Sequence, residues 1–405
     1  MIDAPPASRA AAVRLGRLGP FLLLGQLAWA APGAASGTLL AALLADVTPA
    51  HKVGVFTAYA VAGAVTSAVG TVLGGLLSDR TRSRLGRRSP WLLGSALLAA
   101  AALTAAGLTS DLVLVGVGYA LFQLAVGTWV AALSALIPDH VPAGSVGRAS
   151  AFAGFGYLLG QTAGGVVAGA LVTTPSRGLI VVPWLMVLVA VVLTLAVPGR
   201  DNRNEPRRVA GRRTALPASR DFWLAFTGRF LFILAILMIT TFQLYLLTDY
   251  LGLPTAEAGR IVGLATLLVG VLSAVSVIAA GVLADRLGRL KPVVGGAPVL
   301  LALGLIPLLV APGLGTELVF FGIVGLTLGA YLSVDQALMV AVLPDPGTAA
   351  RDLGVLSIGS TLPGVVAPIA GGLLAGAAGY LAIFVVALVL AVAAAIVVLG
   401  IRSVR

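Results

Sequence analysis

The sequence of 405 residues contains no cysteine. That absence excludes disulfides, thiolate metal sites and a cysteine nucleophile. Histidine is nearly as scarce: His51 and His140 are the only two, too few for a metal site, and no metal or cofactor is expected. Lys52 and Lys291 are the only lysines. Neither stands in a G-x-x-x-x-G-K-[ST] pattern, so the chain has no phosphate-cradling loop and no ATP-driven chemistry is expected. H-E-x-x-H, G-x-S-x-G and paired catalytic carboxylates are also missing, which argues against an enzyme. Charged residues make up 10% of the chain and hydrophobic ones 59%, with a mean hydropathy of +1.06. Such a composition lies outside the soluble globular class and reads as an integral membrane protein.

A spanning helix needs about 20 mostly apolar residues. Apolar runs between charged breaks give twelve candidates, at 19–45, 53–77, 91–109, 112–137, 149–172, 179–197, 222–248, 258–284, 292–311, 317–343, 353–376 and 379–401. Arg9, Arg14 and Arg17 before an apolar stretch and the small run Ala28–Ala31 imitate a signal peptide. The apolar pattern continues to Leu44, however, so the stretch reads as the first span.

The 26 basic against 15 acidic residues give a formal charge of +11. On a soluble chain this surplus would point to nucleic acid. With the N-terminus placed inside, 22 basic residues fall in the inner loops and tails, and only Lys52, Arg177 and Arg260 in the outer loops. That asymmetry predicts cytoplasmic termini and a cytoplasmic linker, and explains the charge as a topological signal with no nucleic-acid partner.

The linker at 198–221 is the only long polar stretch and divides the spans six and six. The halves repeat each other. GLLSDR at 75–80 corresponds to GVLADR at 281–286, and Pro138-Asp139 to Pro344-Asp345, both 206 residues on. LLAD at 43–46 and LLTD at 246–249 close the first and seventh spans at an offset of 203. Landmarks in the same order predict duplicated six-helix units in parallel orientation.

These landmarks resemble the major facilitator superfamily, chiefly through its G-x-x-x-D-R-x-G-R-[KR] loop. The second copy, GVLADRLGRLK at 281–291, nearly matches, with Leu290 at the last basic position. The first copy, GLLSDRTRSRLGRRSPW, carries four extra residues between Asp79-Arg80 and Gly86-Arg87-Arg88. That extended form resembles the glycoside-pentoside-hexuronide and sucrose-transporter branch, and the stretch from Val334 to Pro363 is similar to actinobacterial relatives of it.

The resemblance implies a conformational latch. An aspartate at a span end can rest against a neighbouring helix N-terminus, where unpaired N–H groups favour negative charge. Asp79 is then expected near the start of the eleventh span and Arg351, and Asp285 near the start of the fifth and Arg148. Arg80, Gly86, Arg87 and Arg88 complete the first loop, and Arg286, Gly288 and Arg289 the second. The alternative is that the arginines only enforce topology at lipid headgroups. The fifth span holds GYLLGQTAGG at 156–165, similar to the G-x-x-x-G-P-x-x-G-G signature of proton-coupled antiporters, with Gln161 in place of the proline. Small residues at this spacing also serve close helix packing alone.

Two charges lie inside spans. An ionised side chain near the bilayer centre costs about 2.5–3.5 kcal/mol on insertion scales and needs a partner or a cavity. Arg229 is ~10 Å into the seventh span and Asp335 ~13 Å from the same side, at 1.5 Å per residue. The resemblance implies that the first, fourth, seventh and tenth helices line a central cavity. Arg229, Thr240 and Gln243 share a helical stripe, as do Tyr331 and Asp335. Gln26 and Trp29, with Tyr119, Gln123 and Trp129, are candidates for the opposite wall; aromatic faces and amides suit a sugar or an amphipathic aromatic compound. Asp335 is the expected protonatable group, with Arg229 stabilising its ionised form. A permanent structural ion pair is the other reading.

The expectation is thus an all-α membrane protein of twelve transmembrane helices in two pseudo-symmetric six-helix bundles, with both termini cytoplasmic. The divisions are an N-tail at 1–18, bundles at 19–197 and 222–401, the linker at 198–221 and a C-tail at 402–405. The expected function is secondary active transport of a small organic solute across the cytoplasmic (inner) membrane, coupled to a proton or other cation, as symport of sugars or efflux of apolar compounds; a non-transporting membrane sensor of the same fold is the other alternative. Its expected partners are that solute, the coupling ion and the lipid bilayer, with no obligatory protein partner.

Overall fold

The computed structural model describes residues 15–141, 145–196, 219–287, 289, 291–342 and 349–401, and among them there are helices and turns but no strand. The expected C-tail, most of the expected N-tail and of the linker, Gly288 and the Pro344-Asp345 landmark lie outside the described residues, as do the side chains of Asp285 and Arg351.

Among the described residues, eleven helices are long and apolar enough to cross a membrane, from Leu18–Val47 to Tyr380–Leu399. The remaining expected span, the fifth in order, is an α-helix over Val146–Leu171. Its seven glycines, with Arg148, Tyr157 and Gln161, dilute its apolar character. The first helix runs unbroken over Leu15–Val47 despite Pro20 and Pro32. The small run resembling a cleavage site is simply part of it, with Ala28, Ala30 and Ala31 buried.

Three spans are interrupted. The sixth consists of Pro175–Val181 and Trp184–Ala196, parted just before Trp184 by Pro183, which has no N–H to continue a helix. The eleventh consists of Ala349–Thr361 and Pro363–Ala378, broken at Leu362 for the same reason. The seventh is regular over Arg220–Thr241, breaks at Phe242, and finishes in a short turn at Gln243–Tyr245 and a wider π-wound turn at Leu246–Tyr250. Caps follow ordinary chemistry. Asp111 accepts from Leu114 N at 3.0 Å at the start of the fourth helix, and Gly379, at φ 79°, ends the eleventh.

The chain forms two compact units. One comprises Met1–Ala34, Thr66–Gly164 and Leu179–Arg208; the other comprises Ala35–Val65, Gly165–Gly178 and Val209–Arg405. The division passes through the first, second, fifth and sixth helices.

Within the first unit, the third helix (Ser89–Gly107) packs on the fourth (Leu112–Ser134) and the sixth. Within the second, the ninth (Lys291–Val310) packs on the tenth (Leu314–Ala341) and the twelfth (Tyr380–Leu399), the same pattern six helices later. The seams repeat as well. Gly127 of the fourth helix lies on the carbonyl of Ser67 in the second (Lys52–Arg80), and Gly329 of the tenth lies on the carbonyl of Ser273 in the eighth (Thr255–Leu287). A methyl group at either glycine would overlap that oxygen, so backbone meets backbone in both halves.

Candidate functional site

A buried charged site lies on the seventh, tenth and eleventh helices. Arg229 Nη1 is 2.9 Å from Asp335 Oδ2, and Asp335 is 3% exposed. The same guanidinium lies beside Met339 Sδ, one turn beyond Asp335. Its other terminal nitrogen donates to Ser360 Oγ at 3.2 Å. One arginine therefore joins three helices. Two polar atoms of the pair, Arg229 Nε and Asp335 Oδ1, are buried without a hydrogen-bond partner. Tyr331, one turn before Asp335, stacks on Phe232 with ring centroids 4.6 Å apart. Its hydroxyl is close to the Asp335 carboxylate yet makes no hydrogen bond of regular geometry. The site thus holds a carboxylate, its counter-charge and buried unused donors and acceptors, an arrangement able to exchange a proton or bind a polar group.

The other expected cavity residues are distributed between the two units. Trp29 Nε1 donates to Gln26 Oε1 at 2.7 Å, and its ring lies 5.4 Å from that of Tyr157. Gln123 Nε2 donates to Tyr119 Oη at 2.9 Å. Trp129 is fully buried and donates to the Gly25 carbonyl at 3.1 Å, so the structure uses it to pack the fourth helix on the first. Thr240 Oγ1 returns to the Ile236 carbonyl at 3.1 Å. Gln243 is buried past the break in the seventh helix, with its Nε2 unpartnered.

The first Arg-rich loop closes on its own unit. Arg87 and Arg88 both grip Asp139, on the short Leu136–His140 helix that follows the fourth. Arg88 also reaches Asp79 at 2.7 Å and the buried Ser78 Oγ at 2.6 Å. The structure therefore gives Asp79 a partner within its own loop. Gly86 turns the loop at φ 80°, a conformation open to glycine. Arg80, Arg148, Arg286 and Arg289 are exposed. Asp139 enters the sequence reading only as a repeat landmark; its charge-gripping role needs the fold, because its partners are about fifty residues away. Lys291 Nζ donates to the Ile401 carbonyl at 2.8 Å, binding the start of the ninth helix to the end of the twelfth.

A second cluster unites the far ends of several spans. Lys52 Nζ is 2.7 Å from Asp249 Oδ1, Tyr380 Oη donates to Asp249 Oδ2 at 2.9 Å, and Lys52 lies over the Tyr245 ring. Tyr245 Oη donates to the Ala41 carbonyl at 2.9 Å, and Phe56 meets Phe242 and Tyr245 edge-on. A cavity of about 630 Å³ borders this cluster, lined by His51, Lys52, Asp249 and Gly372 among others. The sequence signal was faint here: a lone outer lysine and a span-end aspartate 197 residues apart.

Comparison with known proteins agrees with this architecture. No curated protein matches the sequence. Among solved structures, a bacterial homologue of the iron transporter ferroportin, inward-facing, superposes with a TM-score of 0.69 at 19% identity, covering 96% of this chain and all of that one. A bacterial homologue of the human lysosomal transporter Spinster, inward-facing and unoccupied, gives 0.63 at 15% identity, covering 94% and 97%. The profile of the Major Facilitator Superfamily matches residues 55–276 and again 244–405. With that match spanning most of the sequence, and a transporter fold carried by membrane-crossing helices, the chain belongs to the Major Facilitator Superfamily.

Proposed function

We propose that this protein is a proton-coupled secondary transporter of a small organic solute, working by alternating access of two six-helix bundles in the cytoplasmic membrane, with both termini inside. The observation that carries the reading is the Arg229–Asp335 pair, a charge couple buried among three helices. Asp335 takes up and releases the coupling proton, and Arg229 stabilises its ionised form. The unpartnered atoms around the pair leave polar capacity for substrate or water. The Arg87–Arg88–Asp139 cluster ties the first loop to the helix after the fourth, and Asp79, exposed beside Arg88, is the residue assigned the latch.

The extended first loop supports solute import as in the glycoside-pentoside-hexuronide branch. Gly156, Gly160 and Gly164 of the fifth helix seat the backbone of Leu23, Leu27 and Ala31 of the first. Close packing accounts for these glycines, and they add no weight to an exporter reading. The test is purified protein in liposomes with an entrapped pH-sensitive dye, offered sugars and lipophilic cations in both gradient directions. Solute-dependent proton movement that Asp335→Asn abolishes is the expected result. Proton movement unchanged in that variant overturns the coupling role.

A further inference from the structure

Ser360 is bound in a way that fixes its chemistry. Its hydroxyl donates to the Ser357 carbonyl at 2.9 Å, so its proton is committed and its lone pairs are left for Arg229 Nη2 at 3.2 Å. It is therefore an acceptor dedicated to the guanidinium. Ser360 sits in the last turn of Ala349–Thr361, directly before the break at Leu362. The neighbouring Gly359 lets the eleventh helix approach the seventh closely, since a methyl group there would lie 3.2 Å from the Phe226 carbonyl. Nothing at this contact requires Asp335 to be ionised.

We propose that Ser360 is a positioning residue that forms a second seat for Arg229: when Asp335 loses its charge, the guanidinium is retained by Ser360, next to the proline interruption of the eleventh helix. The inference rests on the coupling role of Asp335 given above, and it adds the element to which that role is transmitted. With Asp335 ionised, Arg229 spans the tenth and eleventh helices. With Asp335 neutral, the hold on the tenth weakens and Ser360 carries a larger share. The charge state of one carboxyl is thereby transferred to a helix already broken at Leu362.

Two measurements test this. In detergent, unfolding temperatures are compared for Arg229→Gln, Ser360→Ala and the double variant, each with native Asp335 and with Asp335→Asn. The two substitutions are expected to depart from additivity more strongly in the Asn background, where Ser360 holds more of the cation. Equal or weaker non-additivity there overturns the proposal. If the Asn background does not fold, Asp335→Leu replaces it as the neutral background.

In liposomes, Ser360→Ala is expected to lower solute-coupled proton flux about tenfold or more, as for loss of a hydrogen bond to a charged group. Ser360→Thr, which keeps the hydroxyl, is expected to retain the flux. Equal flux in the Ala and Thr variants overturns the proposal. Absence of proton flux in the wild type defeats the coupling reading instead, and the unfolding cycle still reads the Arg229–Ser360 contact by itself.

Discussion

Arg229 with Asp335, and Arg88 with Asp79, join the same two chemical groups at similar distances, 2.9 and 2.7 Å, in opposite surroundings. The Asp335 side chain is 4% exposed and that of Asp79 is 63% exposed. For Asp79, water already stabilises the carboxylate, so the ion pair adds little. Asp335 is largely withdrawn from solvent, so each charge depends on the other, and removing one strands its partner. Asp139 stands between these limits, at 11% side-chain exposure with two arginines on it. The comparison teaches that proximity does not rank these contacts; desolvation does.

The largest effect is expected from Asp335→Ala. It leaves Arg229 buried without its counter-charge and lowers stability by about 3–5 kcal/mol, read as a fall in unfolding temperature in detergent. The double change Arg229→Met with Asp335→Leu removes both charges and should recover most of that loss while abolishing proton-coupled transport. A double variant no more stable than Asp335→Ala breaks the desolvation account.

Next comes Gly156→Ala. A methyl group there overlaps the Leu23 carbonyl, and overpacking of this kind costs about 1–3 kcal/mol. Asp139→Asn, which leaves two arginines short of an acceptor, is expected to cost about 1–2 kcal/mol. The smallest effect is Asp79→Asn, under about 1 kcal/mol. Salt sharpens the contrast: at 1 M ionic strength the screening length is about 3 Å. The Asp79 effect on unfolding temperature should vanish there, and the Asp335 effect should persist. A loss of stability in Asp79→Asn as large as in Asp335→Ala contradicts the ranking.

Much of this was legible in the chain, for identifiable reasons. Apolar runs longer than a bilayer are hard to hide, and the twelve expected spans correspond to helices, including the glycine-diluted fifth. Arg229 and Asp335 were legible as a pair because an isolated charge inside an apolar run demands a partner, and their depths agreed. Ser360 and Met339 were not, because a serine and a methionine in a membrane helix carry no signal until a guanidinium is seen between them. The stripe Arg229, Thr240, Gln243 assumes continuous 3.6-residue winding, and the break at Phe242 ends that assumption. Trp129, a candidate for the cavity wall by its aromatic face, is fully buried and donates to the Gly25 carbonyl, a contact that only the fold shows. Asp79 was read through its motif as reaching the other half, whereas its visible partner, Arg88, lies nine residues along the same loop.

The glycine seams carry a mechanical consequence. Where Gly156 meets Leu23, Gly127 meets Ser67 and Gly329 meets Ser273, main chain rests on main chain with no side chain between. An interlocked side-chain surface has teeth, and sliding it means climbing from one rotamer to another. A seam of bare backbone has none, so displacement along it needs no rotamer change, although it leaves no room for even one added carbon. Such surfaces behave as bearings: intolerant of grit, smooth under motion.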